Sequence, residues 1–493
     1  MRIIRELLTG IILYIAIPAT ILYGAFVVSD KEGDRIANAF TFLQSDLVKP
    51  ALESAPIAEA QIDAREVKIV ETVNKIDIQK KLDLEDDINK IPLEFVDHAL
   101  NTDDVLSDRL NRLSPEFKVP AVLRDRVKFW FDIYTKYSSR FSVIHHQQYP
   151  WIIFAVVDAR NIYAQPTSRF TKDANERNSI ANAKNNIRNL LTNLASKKKY
   201  TKLSAEEFRL YKLLESVPGK RQQVFKTAAY NVRDQRGQKN YYRSGIVHSS
   251  KYINEMEEIF ARYDLPVELV RLPLVESSFN EAAQSKVGAS GIWQFMVGTG
   301  TYYLKVGDQI DERNSPIKAT EAAAKLMLSN FKILRSWPLA VTAYNHGPGG
   351  LFRAKKQLRT TALSEIIKKY KSPSFGFASM NFYCEFLAAL HGEKYQDEIF
   401  GTMDKHLPLE ADTIDLKYSM RARTLTDIVG ITMEELKLYN PDLKNKTIAA
   451  NTYLPVGYHI RLPVGRKARM ELFHQQAEDA HSIVNDLDRK NRS

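Results

Sequence analysis

The amino-acid sequence predicts a mainly α protein whose helical N-terminal region contains one β-hairpin and whose C-terminal end carries a small α+β module. Three observations lead to that class. Apolar residues recur at helical spacing in Arg124–Tyr137, through Val127, Trp130, Phe131 and Tyr134, and again in Lys251–Tyr263, through Ile253, Met256, Ile259, Phe260 and Tyr263. Strand-like runs are few: Phe141–Ile144 and Trp151–Val157 flank HHQQYP and read as a hairpin with a longer turn. From Leu416 to Val464 short pieces alternate in type, with a strand at Lys417–Met420, helices at Leu425–Val429 and Met433–Leu438, and a closing strand near His459–Leu462.

A chain of 493 residues has room for two or three domains with real cores. Its formal net charge of +11 points to an anionic partner. Nucleic acid is not that partner, because the sequence shows no recognition motif and no dense basic helix. The single cysteine, Cys384, cannot form an intramolecular disulfide. His145 and His146 are adjacent, so on a strand they point to opposite faces and do not grip one ion together. No metal and no cofactor is expected.

Taken in order, Arg2 and Arg5 precede an uncharged run from Leu7 to Val28, which as a helix spans roughly 33 Å, the thickness of a hydrocarbon core. Residues 1–29 therefore read as a membrane anchor with its basic end in the cytoplasm; a cleaved signal peptide is the rival reading. Residues 30–119 alternate acidic and basic groups without a sustained period and read as a membrane-proximal spacer. Residues 120–245 form a helical accessory region around the hairpin, and residues 246–400 form the region expected to carry chemistry. Within it, Asp264 and Pro266 mark the start of a helix that Pro273 should bend or bring to its last turn. Asp404–Asp415 reads as a linker. The module occupies 401–465 with that linker, and 466–493 is a polar helical tail.

The chemistry is expected in Leu265–Gly300. Glu276 follows Leu272, Leu274 and Val275 and precedes Ser277, Ser278 and Phe279, so its helical neighbours are largely uncharged. A carboxyl in such surroundings stays protonated to higher pH than in water, which suits a general acid. Gly288 and Gly291 let the backbone approach a ligand closely, and Trp293 offers a flat face for a sugar ring. Further on, Tyr344 and Asn345 end an apolar helix at a glycine-rich break, and Phe375–Leu390 is another apolar segment, carrying Tyr383. No second acid is seen to share the apolar context of Glu276. Asp311 with Arg313 reads as a structural ion pair.

The words VESSFN with Glu276, GASGIWQF with Trp293 and Gln294, DERNSPIKATEAAAKLM from Asp311, and AYNHGPGG with Tyr344 and Asn345 occur in one order and spacing across residues 240–400. In this the chain resembles the lytic transglycosylases that share the goose-type lysozyme fold, and within them the membrane-bound lytic murein transglycosylase D group. The resemblance implies a lysozyme-like fold for 246–400 and peptidoglycan glycan strands as substrate. It implies that Glu276 first protonates the bond between N-acetylmuramic acid and N-acetylglucosamine. The same group then takes the proton of the sugar's own 6-hydroxyl as that oxygen closes a 1,6-anhydro ring. Ser277 would help position substrate, Gln294 and Asn345 would hold sugar or acetamido groups, and Tyr344 would hydrogen-bond near the acid. In MNFYCEF, Phe382 stands at the register of the family's last tyrosine and Tyr383 beside it, and the resemblance implies Tyr383 as a substrate-binding residue.

Leu416–Val464 resembles a LysM module, although Ala422 and Arg423 replace the usual Gly-Asp before the first helix. Glycan-binding unit and degenerate structural cap both remain open. Two other functions stay in view: a hydrolytic muramidase on the same fold, which would need a water-activating carboxylate, and an inactive scaffold that binds peptidoglycan. The expected location is the cell envelope, anchored in the inner membrane with the bulk in the periplasm, or secreted after signal cleavage.

Overall fold

A computed structural model describes residues 101–449 and 451–490. The expected anchor at 1–29 and residues 30–100 of the expected spacer lie outside the described residues. Among the described residues no helix is long and apolar enough to cross a membrane. The described chain forms two units, residues 101–307 with 311–409, and residues 308–310 with 410–490.

The architecture of the larger unit is mainly α, as the sequence predicts. Helix α1 (Arg124–Thr135) buries the stripe Val127, Trp130, Phe131 and Tyr134. Strands β1 (Phe141–His146) and β2 (Ile153–Asp158) form the expected hairpin. Two features differ from expectation. His145 and His146 belong to β1 and not to the turn, and both are buried. The His145 ring lies 4.8 Å from that of Phe129, and desolvation lowers its pKa to about 4, so it is a neutral core residue. A third strand, β3 (Val232–Arg236), pairs antiparallel with the other edge of β1. Its sequence VRDQR is too polar to announce a strand. Helices α2 (Arg169–Ser196) and α3 (Arg221–Tyr230) pack together over Ile144, Phe154, Ile187, Leu191 and Phe225.

The division expected at residue 245 is not a division of the core. Helix α1 packs along α10 (Phe377–Lys394), and Trp130, Tyr134 and Phe131 join the same apolar cluster as Leu387, Met327 and Val270. Between them in sequence come α4 (Lys239–Ser249), α5 (Ile253–Arg262), α6 (Leu272–Glu276), α7 (Pro316–Leu334), α8 (Trp337–His346) and α9 (Pro348–Leu358). The helix bearing Glu276 is shorter than its apolar run suggests. Pro266 caps a 3-10 turn, Val267–Arg271, and Pro273 then opens the five-residue α6 instead of bending a longer helix. Proline is favoured in a first turn because its missing N–H has no partner there.

The smaller unit pairs β4 (Ala411–Asp415) with β7 (His459–Pro463), and β5 (Met420–Arg421) with β6 (Tyr453–Leu454), around α11 (Ala422–Val429) and α12 (Met433–Tyr439). The first strand is thus Ala411–Asp415, inside the expected linker. The strand expected at Lys417–Met420 is cut to two residues. Helix α13 (Lys467–Lys490) adds Met470 to this unit's apolar cluster.

Helix α4 presses close to the turn that follows Glu276. A Cβ on Gly245 would lie 2.7 Å from the Ser278 carbonyl oxygen and 2.9 Å from its carbon, both backbone atoms that cannot rotate away. Gly245→Ala is therefore expected to lower stability by about 1–3 kcal/mol through overpacking. Chemical denaturation should show that loss, and activity should fall beyond it because the turn under the acid is displaced. An unchanged unfolding midpoint would show that α4 and the turn are not in contact.

Candidate active site

The C-terminal end of α6 is built around one carbonyl. The oxygen of Pro273 accepts the Ser277 N–H at 3.0 Å, the Phe279 N–H at 3.2 Å and the Ser277 hydroxyl at 3.3 Å. Ser278 and Phe279 both take the left-handed conformation, at φ 52° and 54°, which is uncommon for residues with a side chain and costs of order 1 kcal/mol each. The turn folds Phe279 into the core and leaves Glu276 half-buried at the helix end. At the other end Arg271, which caps α6, is buried between Glu257 of α5 and Glu393 of α10, the latter at 3.3 Å. The acid's helix is thus clamped at both ends.

Among the described residues no cation pairs with Glu276 and no hydrogen bond is made to its carboxyl. Burial alone pushes its pKa from 4.5 to about 8. The group is mostly protonated at neutral pH, the state a general acid needs.

The loop after the acid is held from two sides. Ser277 donates its hydroxyl to the Ile292 carbonyl at 2.8 Å. Arg313 pairs with Asp311 at 2.7 Å, both buried, and donates to the carbonyls of Gly288 at 2.8 Å and Phe295 at 3.1 Å. The expected structural ion pair is therefore also the clamp of this loop. Gly291, at φ 75°, lies so close that a Cβ would meet the Arg313 carbonyl oxygen at 1.8 Å. The close approach it permits is to Arg313.

The named site residues separate under this geometry. Tyr344 lies within electrostatic reach of Glu276 and donates its hydroxyl to the Trp293 carbonyl at 2.8 Å. Its pKa is raised by burial first and then by the carboxyl's charge, so it stays a neutral phenol. Gln294 is half-buried at φ 50°, and its amide nitrogen donates to the Gly291 carbonyl at 2.8 Å. Asn345 is exposed, and its side-chain oxygen accepts from Ser379 at 3.4 Å. Two expectations are corrected. Trp293 presents no face to a sugar: it is 0% exposed, stacked 5.8 Å from Phe260 with planes 6° apart, and its indole N–H is taken by Thr320 at 2.9 Å. Tyr383 is turned into the core beside Phe386, its hydroxyl 3.5 Å from the Glu116 carbonyl oxygen.

One acid was missed. Glu385 of α10 is half-buried and electrostatically coupled to Glu276, and its pKa is pushed up to about 8 by burial first and by the charge of Glu276 second. A second carboxyl therefore does share the apolar context. The signal was in the sequence: Glu385 is the sole charged residue between Phe375 and Leu390.

In an unfolded chain the Glu276 carboxyl ionises near 4.5, and in the folded chain at about 8. Between those values the unfolded state has lost a proton that the folded state keeps, so this group lowers stability as pH rises from 4.5 to 8. Glu276→Gln removes that loss. Its melting temperature is expected to match the wild type near pH 4 and to exceed it by several degrees at pH 8. An equal offset at every pH would mean that Glu276 is already ionised in the native protein.

Comparison with known proteins agrees with this organisation. Residues 252–367 match the Transglycosylase SLT domain, and residues 410–479 match the LysM-like domain of lytic transglycosylase MltD. Over 219 residues the chain is 28% identical to "Membrane-bound lytic murein transglycosylase D" of Escherichia coli, an alignment covering 43% of this chain and 47% of that protein. It is 35% identical over 101 residues to a "Putative tributyltin chloride resistance protein" of an Alteromonas species, covering 20% of this chain and 49% of the relative. The chain spans about half the length of the curated relatives it matches. By these matches residues 252–367 carry a Transglycosylase SLT domain and residues 410–479 a LysM-like domain of the MltD kind, in that order.

Proposed function

We propose that the protein cleaves the β-1,4 bond between N-acetylmuramic acid and N-acetylglucosamine in peptidoglycan without consuming water. The observation that carries this reading is Glu276, an acid that burial keeps protonated near neutral pH and that no cation among the described residues neutralises. Its proton passes to the glycosidic oxygen as the bond from that oxygen to C1 of the muramic acid breaks. The 6-hydroxyl of the same sugar attacks C1, and its proton returns to the Glu276 carboxylate. Atoms and protons balance, and the product is a 1,6-anhydro end. Gln294 and Asn345 are the polar groups assigned to sugar and acetamido contacts, and Tyr344 holds the loop beside the acid. Ser277 and Trp293 serve the site by fixing that loop.

The net charge of +11 suits a polymer whose peptide stems carry free carboxylates. The relative's name places it at a membrane, and the same is proposed here through the apolar segment Leu7–Val28, with the enzyme facing the periplasm. Glu385 gives the hydrolytic alternative its one specific support, since a second carboxyl is what a water-activating glycosidase requires.

Digestion of purified sacculi separates the readings. Products are expected to be lighter by one water than those of a muramidase, and Glu276→Gln is expected to lose about three orders of magnitude in product release. Fully hydrated reducing ends would favour hydrolysis. Sacculi that bind the protein but release nothing would favour a scaffold.

A further inference from the structure

Where α8 ends and α10 begins, three polar side chains line up. The Ser379 hydroxyl oxygen lies 3.0 Å from Nδ1 of His346 and 3.4 Å from the side-chain oxygen of Asn345. Ser379 is buried in the first turn of α10, His346 is half-buried and Asn345 is exposed. The imidazole is fixed in place. Phe375 meets it edge to face, with ring centres 5.2 Å apart and planes at 90°, and a Cβ on Gly350 of α9 would come within 2.3 Å of Nε2. Only glycine leaves room for the ring there. The packing of α8 on α10 holds the three together.

The hydroxyl has one proton to give, and both neighbours can take it. An amide oxygen only accepts, so the contact of Ser379 Oγ with Asn345 Oδ1 is a bond only when the Ser379 proton lies in it. His346 Nδ1 must then supply the proton of the other contact. Burial and then Arg353 of α9 hold the His346 pKa below 6.5, against a smaller pull from the Ser374 backbone, so at neutral pH the ring is uncharged and has a single N–H. The chain therefore runs one way, from Nδ1–H of His346 to the Ser379 oxygen and from the Ser379 hydroxyl to Asn345 Oδ1. With the proton on Nε2 instead, Ser379 would donate to the ring, and the Asn345 amide would turn over to donate to Ser379.

We propose, building on the reading above, that His346 and Ser379 are positioning residues for Asn345: they hold its amide oxygen inward, so that its NH2 group faces outward as the donor to the carbonyl oxygen of a substrate acetamido group. Asn345 follows Tyr344, which lies within electrostatic reach of Glu276, and among the described residues no hydrogen bond occupies its amide nitrogen. An acetamido group offers one strong acceptor, its carbonyl, and the fixed amide offers the matching donor. An amide free to turn over would also present its oxygen, which repels that carbonyl.

The test is a double-mutant cycle in the full chain, read as kcat/KM for release of total soluble product from uncrosslinked peptidoglycan strands, with product mass recorded separately. Ser379→Ala and Asn345→Ala are each expected to lower kcat/KM about fivefold, mainly by raising KM, since the lost hydrogen bond serves bound substrate and transition state alike. Added to Asn345→Ala, the change Ser379→Ala should cost less than about twofold. An undiminished loss on that background, or a loss carried by kcat, would overturn the proposal by reducing Ser379 to packing. So would an Asn345→Ala enzyme as active as the wild type. Should Ser379→Ala not fold, nitrogen-15 NMR of histidine-labelled wild type, with His346 assigned by its loss in His346→Phe, reads the direction of the chain. Nδ1 is expected to carry the proton at neutral pH, and a bare Nδ1 would overturn the proposal. Hydrated product ends with the cycle still coupled would refute the anhydro reaction and leave the role of His346 and Ser379 intact.

Discussion

The structure depends on holding one carboxyl, Glu276, in an apolar seam where no counter-charge lies among the described residues. The contrast with Arg271, at the other end of the same short helix, makes the point. Arg271 is buried with two carboxylates, so its charge is compensated and it works as a bolt between α5, α6 and α10. Glu276 is given no counter-charge among the described residues, and an uncompensated buried carboxylate costs several kcal/mol. The group avoids that cost by keeping its proton. The instability is local, and the packing of α6 against α10 bears it.

Holding such a group requires rigid surroundings, and much of the chemistry-like vocabulary of the sequence serves that end. Ser277 and Tyr344 spend their hydroxyls on the backbone of Ile292 and Trp293. Trp293 anchors the loop in the core through Phe260 and Thr320. Arg313 gathers the carbonyls of Gly288 and Phe295. These residues determine where the loop lies relative to the acid, and the polar side chains not engaged in holding that loop are fewer than the motifs suggest. A site preorganised in this way needs no rearrangement to present its proton.

Much of this was legible in the sequence, for physical reasons that differ from residue to residue. The apolar flanks of Glu276 are local, so its raised pKa follows from a few neighbours. The helical stripes of α1 and α5 are strongly periodic and were read correctly. Trp293 misled because an aromatic beside glycines is compatible with both a platform and a core anchor, and only the position of Phe260 decides. For Pro273 the sequence leaves a bend and a last turn both open, because the 3-10 turn before it shows the same apolar pattern as a helix; the short α6 is the second of these. Strand β3 was missed because its side chains are polar and its pairing partner lies far away in sequence. Glu385 is visible as an isolated acid in an apolar run, but its nearness to Glu276 is a property of how α6 packs on α10, which no local pattern encodes.

The central claim is that Glu276 carries a proton at neutral pH because of where it is buried. Carbon-13 NMR of protein labelled at glutamate carboxyls, with the Glu276 resonance assigned by its loss in Glu276→Gln, measures this without substrate. The account predicts a titration midpoint near 8. A midpoint near 4.5, the value of an ordinary solvated glutamate, would contradict it.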